Sequence, residues 1–263
     1  MNKGKSMYSG TQSLLKRREV MGFAAASASA ILATGLGIYP SNANTNLNTG
    51  EKPMSPKAFV YTELQLSVPF TDAPWKPISD AIQQQPGFVS KTWLSGVGNN
   101  SVGGIYSFDS IEHAQEFVTG YFPDEAKKFG VAHNTRIFDA MLVREASEGL
   151  NSAHFGGKQG QKPGAFVYTE VQVNVPFENA PWKERNPVLK QQKGLISKTW
   201  LSGLHTNTLG GLDAFDTIEN ATAFAIDSFP QTAAKMNAAF YTRIFDADIT
   251  EEASRFLNSP FYS

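Results

Sequence analysis

Lys91, Trp93 and Ser95 alternate along the chain, and the same three residue types return at Lys198, Trp200 and Ser202. Alternate residues of an extended strand share one face. A cation beside an indole can stack on a flat aromatic molecule and stabilise the enolate or phenolate that forms when it loses a proton. The same spacing also describes a core tryptophan with a lysine whose stem lies on apolar surface while its ammonium reaches the rim.

Arg136 and Arg243 sit in a second repeated string, RIFDA. Either they pair within their own repeats, Arg136 with Glu63 and Arg243 with Glu170, as cross-strand ion pairs, or they anchor an anionic substrate. Tyr106 of one repeat stands where the other has Asp213, each on the face of Phe108 or Phe215. A phenol there would donate a hydrogen bond and a carboxylate near apolar rings would act as a base, unless the difference is drift at a wet barrel end. Of the histidines His113, His133, His154 and His205, none recurs in the other repeat, and His133, opening a strand, is the one base candidate. The absence of cysteine removes disulfides and thiolate metal sites. No histidine pair supports haem, and Gly103-Gly104 precedes a strand rather than a helix, so no cofactor and no metal are expected.

These residues are positioned by a duplication. AFVYTE begins at Ala58 and Ala165, KTWLSG at Lys91 and Lys198, RIFDA at Arg136 and Arg243, each 107 residues apart, and roughly half the aligned positions are identical. Two copies are too few for a solenoid, so each is a domain that pairs with its twin. Within a copy, Phe59–Val68 alternates as a strand, Asp72 or Asn179 caps a helix running to about Gln85 or Gln192, and Phe88–Ser95 and Gly104–Phe108 form a hairpin. Asp109-Ser110-Ile111-Glu112 and Asp216-Thr217-Ile218-Glu219 open a second helix, and Thr135–Met141 closes the unit. The order β-α-β-β-α-β is the ferredoxin-like unit, an α+β fold. Val60, Leu64, Leu66 and Val68 suit the face under the helices, while Phe59, Tyr61, Glu63 and Gln65, with Phe166, Tyr168, Glu170 and Gln172, point the other way. An aromatic row on that second face calls for cover by the twin sheet, and Lys91 and Trp93 are expected near the shared interior. Tyr61, Glu63, Phe108, Tyr168, Glu170 and Phe215 are then candidates for contact with a substrate. Trp75 and Trp182 pin the first helix or act as lids.

The strings PGFVSKTWL from Pro86, GGIYSF from Gly103 and RIFDA from Arg136 resemble the YdhR-like monooxygenase family, over nearly all of each repeat. The resemblance implies a dimeric α+β barrel, built here within one chain. In wider relatives of this barrel class it implies cofactor-independent oxygenation of aromatic polyketides by an Asn, Trp and Arg set. Trp93 and Arg136 match that set, and no Asn does.

At the N-terminus Lys3, Lys5, Lys16, Arg17 and Arg18 precede a weakly apolar run, Met21 to Ile38, in the manner of a twin-arginine signal peptide cut after Ala43. The expected organisation is signal 1–43, polar leader 44–57, first repeat 58–155, linker 156–164 and second repeat 165–263. Without the signal, 18 Lys and Arg face 23 Asp and Glu, a net charge of −5. That argues against nucleic acid as a partner. The expected protein is exported, to the periplasm or otherwise, free of stable membrane insertion once the signal is removed, and a monomeric pseudo-dimer. Its expected partner is a small apolar or aromatic molecule. It acts as a cofactor-independent monooxygenase on an aromatic or polyketide-like substrate or, alternatively, as a non-enzymatic exported binding protein for an apolar small molecule. In the enzymatic reading Lys91, Trp93, Tyr106, His133 and Arg136, with Lys198, Trp200, Asp213 and Arg243, carry the chemistry.

Overall fold

A computed structural model describes residues 55–66, 68–173 and 175–262. The signal, most of the leader and the twin arginines lie outside the described residues.

The first repeat runs β1 (Ala58–Gln65), α1 (Trp75–Gln83), β2 (Phe88–Ser95), β3 (Ser101–Phe108), α2 (Ile111–Glu116), a π-helical turn (Phe117–Tyr121), α3 (Phe122–Phe129), β4 (His133–Asp139) and α4 (Arg144–Glu148). The second repeats it as β5 (Ala165–Gln172), α5 (Trp182–Leu189), β6 (Leu195–Ser202), β7 (Thr208–Phe215), α6 (Ile218–Ala223), a π-helical turn (Phe224–Ser228), α7 (Phe229–Lys235), β8 (Phe240–Asp246) and α8 (Glu251–Phe256). The strands form two antiparallel sheets of order β2-β3-β1-β4 and β6-β7-β5-β8. This is the ferredoxin-like α+β unit, present twice.

Local chemistry explains most boundaries. Gly87 and Gly194 take positive φ just before β2 and β6, a conformation L side chains resist. Ser110 and Thr217 cap α2 and α6 by accepting the His113 and Asn220 amides. The third helical position, where a capping box needs its Glu, is His113 or Asn220, and each is held by its side chain to the residue before the cap. Asp109 binds the His113 ring at 2.6 Å, and Asp216 accepts from the Asn220 amide at 2.7 Å. The π-helical turns run into Pro123 and Pro230, which have no N–H for the regular ladder. Asp72 and Asn179 do not cap the first helices. They end 3-10 turns, and α1 and α5 start after Pro74 and Pro181 with no side-chain cap.

The two sheets face one another and close into one barrel. Isolated bridges join Gly96 to Phe245 and Phe138 to Gly203, so β2 meets β8 and β4 meets β6. Phe59, Tyr61, Leu94, Ile105 and Phe138 of the first sheet pack with Phe166, Tyr168, Leu201, Leu212 and Phe245 of the second, all essentially without exposure. Removing one such phenylalanine costs about 3–5 kcal/mol.

The C-terminal parts of the repeats exchange. α4 lies on β6 and α8 on β2. Lys91 N–H donates to Leu257 O at 2.9 Å and Trp93 N–H to Ser254 Oγ at 2.9 Å, while Lys198 N–H donates to Leu150 O at 3.1 Å and Trp200 N–H to Ser147 Oγ at 2.9 Å. The outer edges of β2 and β6, which would offer unpaired amides to another chain, are thereby occupied.

Candidate functional site

Register fixes the faces. Lys91 stands opposite Tyr106 and Trp93 opposite Gly104, which in turn face Val60 and Thr62. All belong to the face covered by their own helices, where Trp93, Tyr106 and Phe108 pack with Ile82, Phe117 and Phe122. Lys91 and Trp93 therefore lie outside the shared interior, contrary to expectation, because that interior takes the opposite phase of β2, with Leu94. Each repeat has its own site between sheet and helices.

Glycine makes room for the lysine. A Cβ on Gly104 would come within 2.5 Å of Lys91 Cε, and one on Gly211 within 2.2 Å of Lys198 Nζ. Each lysine thus folds back over the neighbouring strand, and neither reaches a rim, since Lys91 is 1% and Lys198 3% exposed.

The two sites then differ in what answers the charge. In the second repeat Lys198 Nζ donates to both Asp213 oxygens, at 2.8 and 2.9 Å, with Trp200's ring centre 4.8 Å away. Thr169 Oγ donates to Asp213 at 3.5 Å, and Trp200 Nε1 donates to Asn186 Oδ1 at 3.0 Å. Burial raises the Asp213 pKa, against the opposing pull of Lys198. In the first repeat Tyr106 replaces the carboxylate. Lys91 Nζ lies 2.9 Å from the centre of the Trp93 ring and 4.5 Å from that of Tyr106. Loss of solvent holds its pKa well below the usual lysine value. Ser79 stands where Asn186 does, and both Ser79 Oγ and Trp93 Nε1 are buried without a hydrogen-bond partner.

The second site opens onto a cavity of about 70 Å³, lined by Lys198, Trp200, Thr169, Leu189, Phe224 and Phe229, with Trp182, Arg185 and Met236 also on its wall. Arg185 is turned to Thr232 Oγ at 3.2 Å. Sequence reasoning missed Arg185 and Thr169. Arg185 replaces Ile78 of the first repeat, and that charge on a helix facing the sheet was the available signal.

Of the other candidates, Phe108 and Phe215 share the helix-covered face of their repeats, and Phe215 stands behind the cavity wall rather than on it. Phe108 and Phe215 are wholly buried against Phe117 and Phe224, at 5.2 and 5.3 Å between ring centres. His133 is exposed, its ring edge-on to Phe122. Asp139 and Asp246 accept the amides of Met141 and Leu142, and of Asp248 and Ile249. Trp75 packs edge-on to Phe256, whereas Trp182 reaches the cavity.

Tyr61, Glu63, Tyr168 and Glu170 meet in the barrel interior rather than at the cavity. The expected ion pairs within repeats are exchanged across the barrel: Arg243 lies 3.2 Å from Glu63 and Arg136 3.4 Å from Glu170. Facing sheets bring each arginine to the twin's glutamate. Tyr61 donates to Glu63 at 3.0 Å, Tyr168 to Glu170 at 2.5 Å, and Tyr241 to Glu63 at 2.8 Å. Tyr241, which occupies the place of Asn134, had not been singled out.

Among the described residues no three His, Asp or Glu side chains gather as a metal would require, and no helix is long and apolar enough to cross a membrane.

Residues 63–147 match the family model described as "Putative mono-oxygenase ydhR". Comparison with curated proteins gave no match. Among solved structures, an anthrone oxidase-like protein aligns at 14% identity and a TM-score of 0.45, over 73% of this chain and 91% of that one. A ferredoxin fold protein related to antibiotic biosynthesis monooxygenases, from Listeria monocytogenes, aligns at 9% and 0.39, over 73% and 96%. A monooxygenase-like protein from Listeria innocua aligns at 8% and 0.40, over 73% and 95%. Through its first repeat the chain is thus similar to the ydhR mono-oxygenase family, and its second repeat restates that unit 107 residues later.

Proposed function

We propose that the second repeat binds a small, acidic, ring-shaped molecule, a phenol or a cyclic β-dicarbonyl of polyketide type, and oxygenates it without a cofactor. The N-terminal sequence supports an exported protein. The observation that carries the reading is a buried lysine on the wall of an aromatic cavity with a carboxylate directly behind it. The volume narrows the substrate. An apolar cavity that takes benzene measures about 150 Å³, so about 70 Å³ admits part of one ring unless Trp182 and Met236 give way, and a fused polycycle does not fit.

Lys198 and Asp213 act as a relay. As the substrate C–H or O–H gives its proton to Lys198, Lys198 passes one of its own to Asp213. The resulting anion faces the ammonium, and Trp200 and Phe224 exclude water. Burial has already raised the Asp213 pKa, which makes it the better proton acceptor. The carbanion adds O2 to give a hydroperoxide after reprotonation. Loss of water then leaves a carbonyl: a CH2 and O2 become C=O and H2O. The first repeat lacks the carboxylate, so turnover is assigned to the second.

Oxygen uptake with cyclohexane-1,3-dione and small phenols tests this. Asp213→Asn should slow uptake by roughly 10²–10⁴-fold. The double variant Lys198→Met/Asp213→Leu, which strands neither charge, should abolish it in a folded protein. Tight binding without oxygen uptake would make the chain a binding protein instead, and unchanged uptake in the double variant would place the chemistry elsewhere.

A further inference from the structure

The pseudo-twofold arrangement brings one residue of each repeat face to face with its own counterpart. Tyr61 and Tyr168 stack with ring centres 4.0 Å apart and planes 9° from parallel, both almost fully buried. Each hydroxyl donates to a glutamate of its own strand, Glu63 or Glu170. Burial and these carboxylates push both phenols above the ordinary tyrosine range, so neither becomes a phenolate by losing a proton alone. Removal of an electron is different, because a phenol radical cation is a strong acid and the carboxylate oxygen is already in place to take the proton. A route inward exists: half-buried Tyr241 has its ring 6.1 Å from that of Tyr168 and shares Glu63 with Tyr61.

We propose that Tyr61 and Tyr168 form an oxidation site at which one-electron oxidants, peroxyl radicals among them, join the two repeats through a dityrosine bond. Each phenol gives one electron to an oxidant and its hydroxyl proton to its own glutamate, leaving two phenoxyl radicals. Carbons ortho to the oxygens form one C–C bond. The two ring hydrogens at those carbons then move to the oxygens, which restores both phenols. In sum two electrons reduce two oxidant radicals to hydroperoxides, and two protons leave by way of Glu63 and Glu170. The product is a covalent tie across the barrel within one chain. Nothing in this step depends on the Lys198 cavity.

The full chain, dilute, is illuminated with tris(bipyridyl)ruthenium(II) and persulfate. The expected result is blue dityrosine fluorescence in protein that still runs as a single chain after denaturation, with a peptide linking Tyr61 to Tyr168 by mass spectrometry. Tyr61→Phe and Tyr168→Phe should each reduce intramolecular fluorescence at least tenfold, and Glu63→Gln should slow its appearance severalfold. A linked peptide from other tyrosines, or undiminished intramolecular yield in either phenylalanine variant, overturns the proposal. If a variant fails to fold, the peptide map of the unaltered chain decides.

Discussion

At the scale of single residues, exchange of one side chain between otherwise matching positions sets the chemistry. Asp213 for Tyr106 turns an aromatic lysine niche into a buried ion pair, and Asn186 for Ser79 accepts from an indole N–H whose counterpart in the other repeat has no hydrogen-bond partner. His154 for Phe261 is a third such exchange. His154 is buried between Phe59 and Phe261, its Nδ1 2.9 Å from Thr199 Oγ, and burial pushes its pKa down to about 3. The folded state therefore holds the neutral ring. Above about pH 6.5, the free histidine value, neither state is protonated and nothing is lost. As pH falls from there towards 3, the unfolded chain takes a proton that the folded chain refuses, and stability declines. The loss amounts to about 2 kcal/mol at pH 5. His154→Phe, which copies the second repeat, should flatten this part of the profile. Denaturant midpoints at pH 7 and pH 5 for both proteins measure it, and equal slopes would show that His154 does not titrate in this way.

At the scale of elements, the short C-terminal helices are what hold the repeats' edges. Ser254 and Ser147 each accept a buried tryptophan amide of the opposite repeat. Replacing either with alanine leaves that N–H unpaired, at about 1–3 kcal/mol. Ser254→Ala and Ser147→Ala should thus lower the denaturant midpoint by similar amounts; an effect within error would mean that water substitutes for the hydroxyl. None of this docking was legible in the sequence, since five or six residues such as REASE carry no period long enough to read. The phase of β1 was legible, because Phe59 and Tyr61 alternate with Val60 and Thr62. That of β2 was not. Both its faces are buried, with Leu94 on one and Trp93 on the other, so no contrast between wet and dry marks which side meets the twin sheet.

At the scale of the molecule, one chain does the work of two. We expect the full chain to be monomeric, its pairing surface spent internally. A fragment 56–156 would expose Phe59 and Tyr61 along with the edge of β2, each Å² of apolar surface losing about 25 cal/mol. It should self-pair, exchanging its own Arg144–Glu148 helix, and light scattering should give twice the fragment mass. A soluble, folded, monomeric fragment would contradict the requirement for a covered face. The sequence by itself determined the duplication, the order of elements and the residue types of each site, because a constant offset and local periodicity are properties of the chain read in one dimension. Tertiary structure alone decided that Arg136 and Arg243 answer the twin's glutamates, that Lys198 lines a cavity, and that Tyr61 meets Tyr168. Those contacts join residues from 34 positions apart (Arg136 and Glu170) to 180 (Arg243 and Glu63), and they depend on which sheet faces meet and how much space the packed side chains leave.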